Sequence, residues 1–170
     1  MNDRSAAGVT VGLSVISIVM VFSACLGGGS TLDIGDEAPH FTLLDVDDHP
    51  RNLTDYRGRV LLIDFFATWC GPCASQLSVM KDLRDELPAD DVAFLMIDTD
   101  DRESQATVSA YRDDHGIGWP VTYHGDKVAA DYDVDAIPTT VVVDGDGVVR
   151  YYHVGTSSKD DLKEAVSDLL

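Results

Sequence analysis

At 170 residues the chain has room for one domain of ordinary size and a short appendage, and 45% hydrophobic content argues against disorder along its whole length. Thirty acidic residues against 12 basic ones, a formal net charge of −18, repel the nucleic-acid backbone and anionic lipid and so exclude a DNA or RNA partner. The acids are dispersed in runs such as 45–48, 98–101 and 131–135, a solvated surface that, with only four lysines, fits a protein kept soluble at very high salt.

Residues 5–32 carry no charge, Arg4 precedes them, and Val9 to Phe22 is densely apolar. That length fits the h-region of a signal peptide or a short membrane anchor; a buried core helix is the third reading. Ser23 and Ala24 supply the small residues that a signal peptidase needs, and Phe22-Ser23-Ala24-Cys25 resembles a lipobox, which would lipidate Cys25. Gly27-Gly28-Gly29-Ser30-Thr31 then reads as a flexible tether. The chain divides into 1–32, a signal or anchor segment, and 33–170, a folded domain. With the sole flanking cation on the N-terminal side, the domain is expected outside the membrane.

From Asp33 onward strand and helix patterns alternate. Phe41–Leu44 and Arg51–Leu53 read as short strands about a turn at Asp47-Asp48-His49-Pro50. Val60–Phe66 is a continuous apolar run, as a strand buried on both faces requires. A helix is expected to begin near Pro72, with Leu77, Met80, Leu83 and Leu87 as its core stripe. Val92–Ile97 is a second buried strand, and Glu103–Asp114 a helix with Val108 and Tyr111 inward. An extended piece at Trp119–Tyr123 and a helix around Lys127–Tyr132 follow. Thr139–Val143 and Val148–His153 are strands joined by Asp144-Gly145-Asp146-Gly147, which is hairpin-turn chemistry. Ser157 or Ser158 caps a last helix with Leu162, Ala165, Val166 and Leu169 inward. The pattern is βαβα followed by ββα: α/β, with parallel strands first and a hairpin last.

With Cys25 in the leader, Cys70 and Cys73 are left as a Cys-x-x-Cys pair that is catalytic, metal-binding or incidental. At a helix start, unpaired backbone N–H groups and the helix dipole stabilise a thiolate, so such sites ionise at about pH 3.5–7.5 against about 8.5 for a free thiol. Cys70 is then the nucleophile, and Cys73, one turn on, is placed to resolve a mixed disulfide. Zinc wants four ligands; no second cysteine pair exists and the five histidines show no ligand spacing, so neither a metal nor a cofactor is expected. Asp64, in an otherwise apolar strand six residues before Cys70, is expected to be desolvated and poised to take the proton of Cys73; a solvent-exposed strand end is the alternative.

The stretch from Asp64 to Cys73, ending Trp69-Cys70-Gly71-Pro72-Cys73, resembles the active-site strand and turn of thioredoxins. Ala38-Pro39-His40-Phe41, Tyr56-Arg57-Gly58-Arg59 and Ile137-Pro138-Thr139-Thr140 extend the likeness, from about Asp33 to the C-terminus, to TlpA/ResA-like extracytoplasmic thioredoxins. The resemblance implies a central mixed sheet flanked by helices with an N-terminal hairpin. It implies a cis Pro138 facing the dithiol, Ile137 offering its backbone to substrate, Trp69 beside the dithiol, and Glu103 as an active-site glutamate. Gly71-Pro72 is similar to the reducing thioredoxins, at about −270 mV. The implied activity is protein-disulfide reduction of exported proteins, apocytochrome c among the candidates, with electrons from a membrane donor. A thioredoxin-fold peroxidase is a rival, but Ala67 stands where that chemistry wants Thr or Ser. A copper-binding assembly module is a second rival, lacking the longer cysteine spacing and dedicated histidine it would use.

Overall fold

The computed structural model of the protein describes residues 31–170. Cys25 and the apolar leader lie outside the described residues. The five-stranded sheet is built around the two continuous apolar runs, because a strand with no polar face must be covered on both sides. These runs are β3 (Val60–Phe66) and β4 (Val92–Asp98), every residue of each buried. A short antiparallel hairpin, β1 (Thr42–Leu44) and β2 (Pro50–Asn52), precedes them, followed by a 3-10 turn at Leu53–Tyr56. With β5 (Val121–Thr122), β6 (Thr139–Val143) and β7 (Val149–Val154) the sheet has the order β5-β4-β3-β6-β7. β3, β4 and β5 run parallel, and β6 and β7 antiparallel to their neighbours.

Among the described residues four helices cover the sheet: α1 (Gly71–Arg84), α2 (Gln105–Asp114), α3 (Asp126–Asp131) and α4 (Lys159–Ser167). Strand alternation sorts the core into two layers. One holds Leu62, Phe66, Phe94 and Met96 with Leu77, Met80 and Leu83 of α1, Val108 of α2, and Leu162 and Val166 of α4. The other holds Leu61, Ile63, Phe65, Leu95 and Ile97 with Val128, Ala129 and Tyr132, closed by Phe41 and Leu53 from the hairpin side. Both cysteines belong to the first layer, so the dithiol sits on the α1 face.

Local chemistry sets the ends. Ser158, rather than Ser157, caps α4, accepting the Asp161 N–H at 3.2 Å. The β6–β7 turn is held by Asp144, whose Oδ1 accepts N–H bonds from Asp146 and Val148 while Gly147 takes φ +82°. Ser104 caps α2, accepting the Thr107 N–H, so the helix starts two residues later than its sequence pattern suggests and Glu103 stands in the loop before it.

Tyr132 is the largest fully buried side chain. Its ring lies 5.4 Å from Phe65 and its hydroxyl donates to the Pro39 carbonyl at 2.9 Å. Tyr132→Ala is expected to cost about 3–5 kcal/mol and Tyr132→Phe about 1 kcal/mol in urea unfolding. Equal losses would mean that the ring does not fill the core.

Candidate active site

β3 delivers the chain through Ala67-Thr68-Trp69 to Cys70, which is the N-cap of α1. Cys70 Sγ accepts the Cys73 backbone N–H at 3.2 Å, so the sulfur occupies the place where a capping oxygen would satisfy an orphan donor. Gly71 opens the helix and Pro72 follows, where its missing N–H costs no bond. The two sulfurs are joined as a disulfide. Cys70 is 6% exposed and Cys73 0%, so a reactant arriving from solvent meets Cys70.

The Ile137–Pro138 bond is cis, and the Ile137 carbonyl oxygen lies 3.9 Å from Cys70 Sγ. Trp69, next to Cys70 in the chain, is 65% exposed. Its indole N–H donates to Asp100 Oδ2 at 2.9 Å. Asp100 is held well below the usual carboxylate range by the Arg102 side chain, then by the Arg102 N–H and the indole. A cleft of about 580 Å³ lies beside the dithiol between Trp69 and Ile137, with Asp100, Arg102, Asp126 and Asp135 on its walls.

Asp64 is fully buried on β3, and the alternation that turns Leu62 and Phe66 toward α1 turns it there too. Burial pushes its carboxyl well up, and Thr140 is its register partner on β6. Among the described residues neither Asp64 oxygen nor the Thr140 hydroxyl has a formed hydrogen bond. Glu103 grips the active-site turn from the far side: Oε2 accepts the Thr68 N–H at 2.9 Å and Oε1 accepts the Thr68 hydroxyl.

Tertiary structure adds residues that sequence reasoning missed. Gln76, one turn after Cys73, is buried and accepts the Ser157 N–H at 2.7 Å, while its amide nitrogen has no partner among the described residues. Asp98 ends β4 buried in the dithiol layer. Its one sequence signal is a carboxylate closing an apolar run, and the acidic stretch 98–101 hides it. Away from the site, Asp45, Asp47 and His49 bring one ligand atom each within 4.8 Å, a grouping not evident from histidine spacing. Asp45 is already engaged by Arg51 and by the Asp47 and His49 N–H groups.

The AhpC/TSA family model matches residues 34–152. Thioredoxin-like protein YneN of Bacillus subtilis is 33% identical over 131 residues, 76% of each chain. Thiol-disulfide oxidoreductase ResA of Geobacillus thermodenitrificans is 30% identical over 137 residues, 80% of this chain and 78% of the relative. Among solved structures, a thiol:disulfide interchange protein of the thioredoxin family from Chlorobium tepidum superposes with TM-score 0.70 at 27% identity, covering 81% of this chain and 97% of its own. A Cys-x-x-Cys pair capping a helix beside a mixed five-stranded sheet, the match over most of the chain and relatives of one chemistry lead to the same conclusion: the chain belongs to the AhpC/TSA family and is a TlpA/ResA-like thiol–disulfide oxidoreductase of thioredoxin fold.

Proposed function

We propose that the protein reduces disulfides of exported proteins on the outer side of the membrane, with Cys70 as nucleophile and Cys73 as resolving thiol. The observation that carries this reading is the geometry at Cys70: a sulfur at a helix N-terminus, reachable from solvent, bonded to the N–H of a fully buried partner cysteine.

In the proposed cycle the Cys70 thiolate attacks one sulfur of a client disulfide, forming a mixed disulfide and releasing the other client sulfur as a thiolate. Cys73 then gives its proton to Asp64 in those molecules where that carboxyl is ionised, and attacks Cys70 Sγ. The Cys70–Cys73 bond forms, the second client thiolate leaves, and two electrons have passed from the dithiol to the client. Ile137 offers its carbonyl to an extended client segment at the cis Pro138, and Trp69 borders its approach. Glu103 keeps the turn that presents Cys70 in place.

Regeneration of the dithiol needs an outside reductant, for which a membrane electron donor is the natural source. Apocytochrome c is one candidate client, on the resemblance to TlpA/ResA-like extracytoplasmic thioredoxins. Residues 1–32 are proposed to tether the domain, by lipid on Cys25 or by a retained anchor. Among the described residues no helix is long and apolar enough to cross a membrane.

A Cys73→Ser variant expressed in the native host tests the reading. Mixed disulfides between Cys70 and exported proteins, released by dithiothreitol, are the expected result. An empty trap, or reduced wild-type protein that fails to reduce insulin, would reject it.

A further inference from the structure

The turn that presents Cys70 is braced from behind by a second carboxyl that the exchange steps leave unused. Asp98 closes β4, and its register partner across the parallel ladder is Phe66, the last residue of the strand that runs into Thr68 and Cys70. Its Oδ1 accepts the Asp100 N–H at 3.2 Å. Its Oδ2 is buried with no donor among the described residues, and the Glu103 carboxyl, held on Thr68 two residues past Phe66, is near enough to act on the Asp98 carboxyl by charge and hydrogen bonding. Two acceptor groups that close in a buried place stay together only when one of them carries a proton. The backbone leaves little slack. Gly125 N–H donates to the Asp98 carbonyl at 2.8 Å, and a Cβ on Gly125 would stand 2.2 Å from Ile97 Cγ2.

We propose that Asp98 is a positioning residue for the dithiol turn: its carboxyl donates the hydrogen bond that steadies Glu103, and Glu103 fixes Thr68 two residues ahead of Cys70. This rests on the dithiol-exchange reading, since a fixed turn matters only if Cys70 reacts. The groups around it are few. Glu103 and Asp100 act on Asp98 from the loop after β4, and Arg102 is engaged with Asp100. Tyr111 of α2, whose hydroxyl has no partner among the described residues, feels the charges of both Asp64 and Glu103. Burial first, and then Glu103 against the pull of the Asp100 N–H, pushes the Asp98 carboxyl up to about 8. Above that pH two carboxylates oppose each other and the grip on Thr68 loosens.

The oxidised protein takes the dithiol out of the titration, because neither of its cysteines titrates within a disulfide, and substitution then separates Asp98 from Asp64. Trp69, next to Thr68, reports on the turn in a Trp119→Phe background. Its emission is expected to show a step with a midpoint near 8. The step should vanish in Asp98→Asn and move down by at least about one pH unit in Glu103→Gln, where the opposing charge is gone. In disulfide exchange at pH 7, Asp98→Ala should lose about tenfold in kcat/KM, and Asp98→Asn, which restores an N–H donor, should recover it. A step that persists in Asp98→Asn, no step in the parent, or equal losses in the Ala and Asn variants would overturn the proposal. A parent that shows the step yet exchanges no disulfide would overturn the dithiol reading beneath it.

Discussion

Cys70→Ala should abolish disulfide exchange, lowering turnover by at least about a thousandfold, whereas Cys73→Ala should still attack client disulfides once and then stall as a mixed disulfide. The asymmetry follows from placement. Cys70 has the only sulfur of the pair with any exposure and sits at the N-cap, while Cys73 is sealed in the core layer. Of the pair, alkylation of the reduced protein should therefore modify Cys70 and not Cys73 under native conditions. Its rate should turn upward below about pH 8.5, where a free thiol ionises. Modification of Cys73 first, or equal residual turnover in the two variants, would show that the helix end does not assign the roles.

The second large effect is at Asp64, where one substitution should move activity and stability in opposite directions. In the unfolded chain its carboxyl ionises near pH 3.9, about the ordinary value, whereas burial in the folded protein holds the proton to far higher pH. Between those two pH values the unfolded state releases a proton that the folded state keeps. Stability from this group therefore falls as pH rises through that window and stays low above it. Asp64→Asn carries no charge to release. It should match wild type below pH 4, exceed it in urea unfolding at neutral pH, and lose the slope between.

The same substitution removes the carboxyl that, in its ionised form, takes the Cys73 proton. Resolution of a preformed mixed disulfide should slow by about a hundredfold at pH 7, with the initial attack by Cys70 little changed. A variant that is both less stable at neutral pH and unaffected in resolution would place the carboxyl in solvent contact, contrary to its burial. Glu86 offers a contrast. Lys159 and Lys163 bond it on the exposed surface and draw its pKa down to about 2, yet breaking those bonds should leave exchange unchanged.

Much of this was written locally. β3 spans the same residues, Val60–Phe66, that its apolar run delimits, because a strand buried on both faces has no polar alternation to blur its ends. The Cys-x-x-Cys pair and Pro72 mark a helix start through capping chemistry confined to four residues. Asp64 was visible as the one charge inside that run.

What the sequence could not disclose is which distant side chains meet. Asp98 reads as the head of an acidic surface stretch, and only the parallel register that seats it beside Phe66 puts it indoors. Glu103 reads as a helix-start acid. Ser104 takes the cap, and the sheet order brings Glu103 to Thr68, 35 positions earlier. Trp69 is implied by the resemblance to lie beside the dithiol, and how far its ring is exposed is set by the fold. Periodicity and capping are encoded within a few residues, so the chain alone determines its elements and its dithiol. The environment of each acid depends on strand order and register, which are settled by the burial of both sheet faces at once, and only the folded structure decides it.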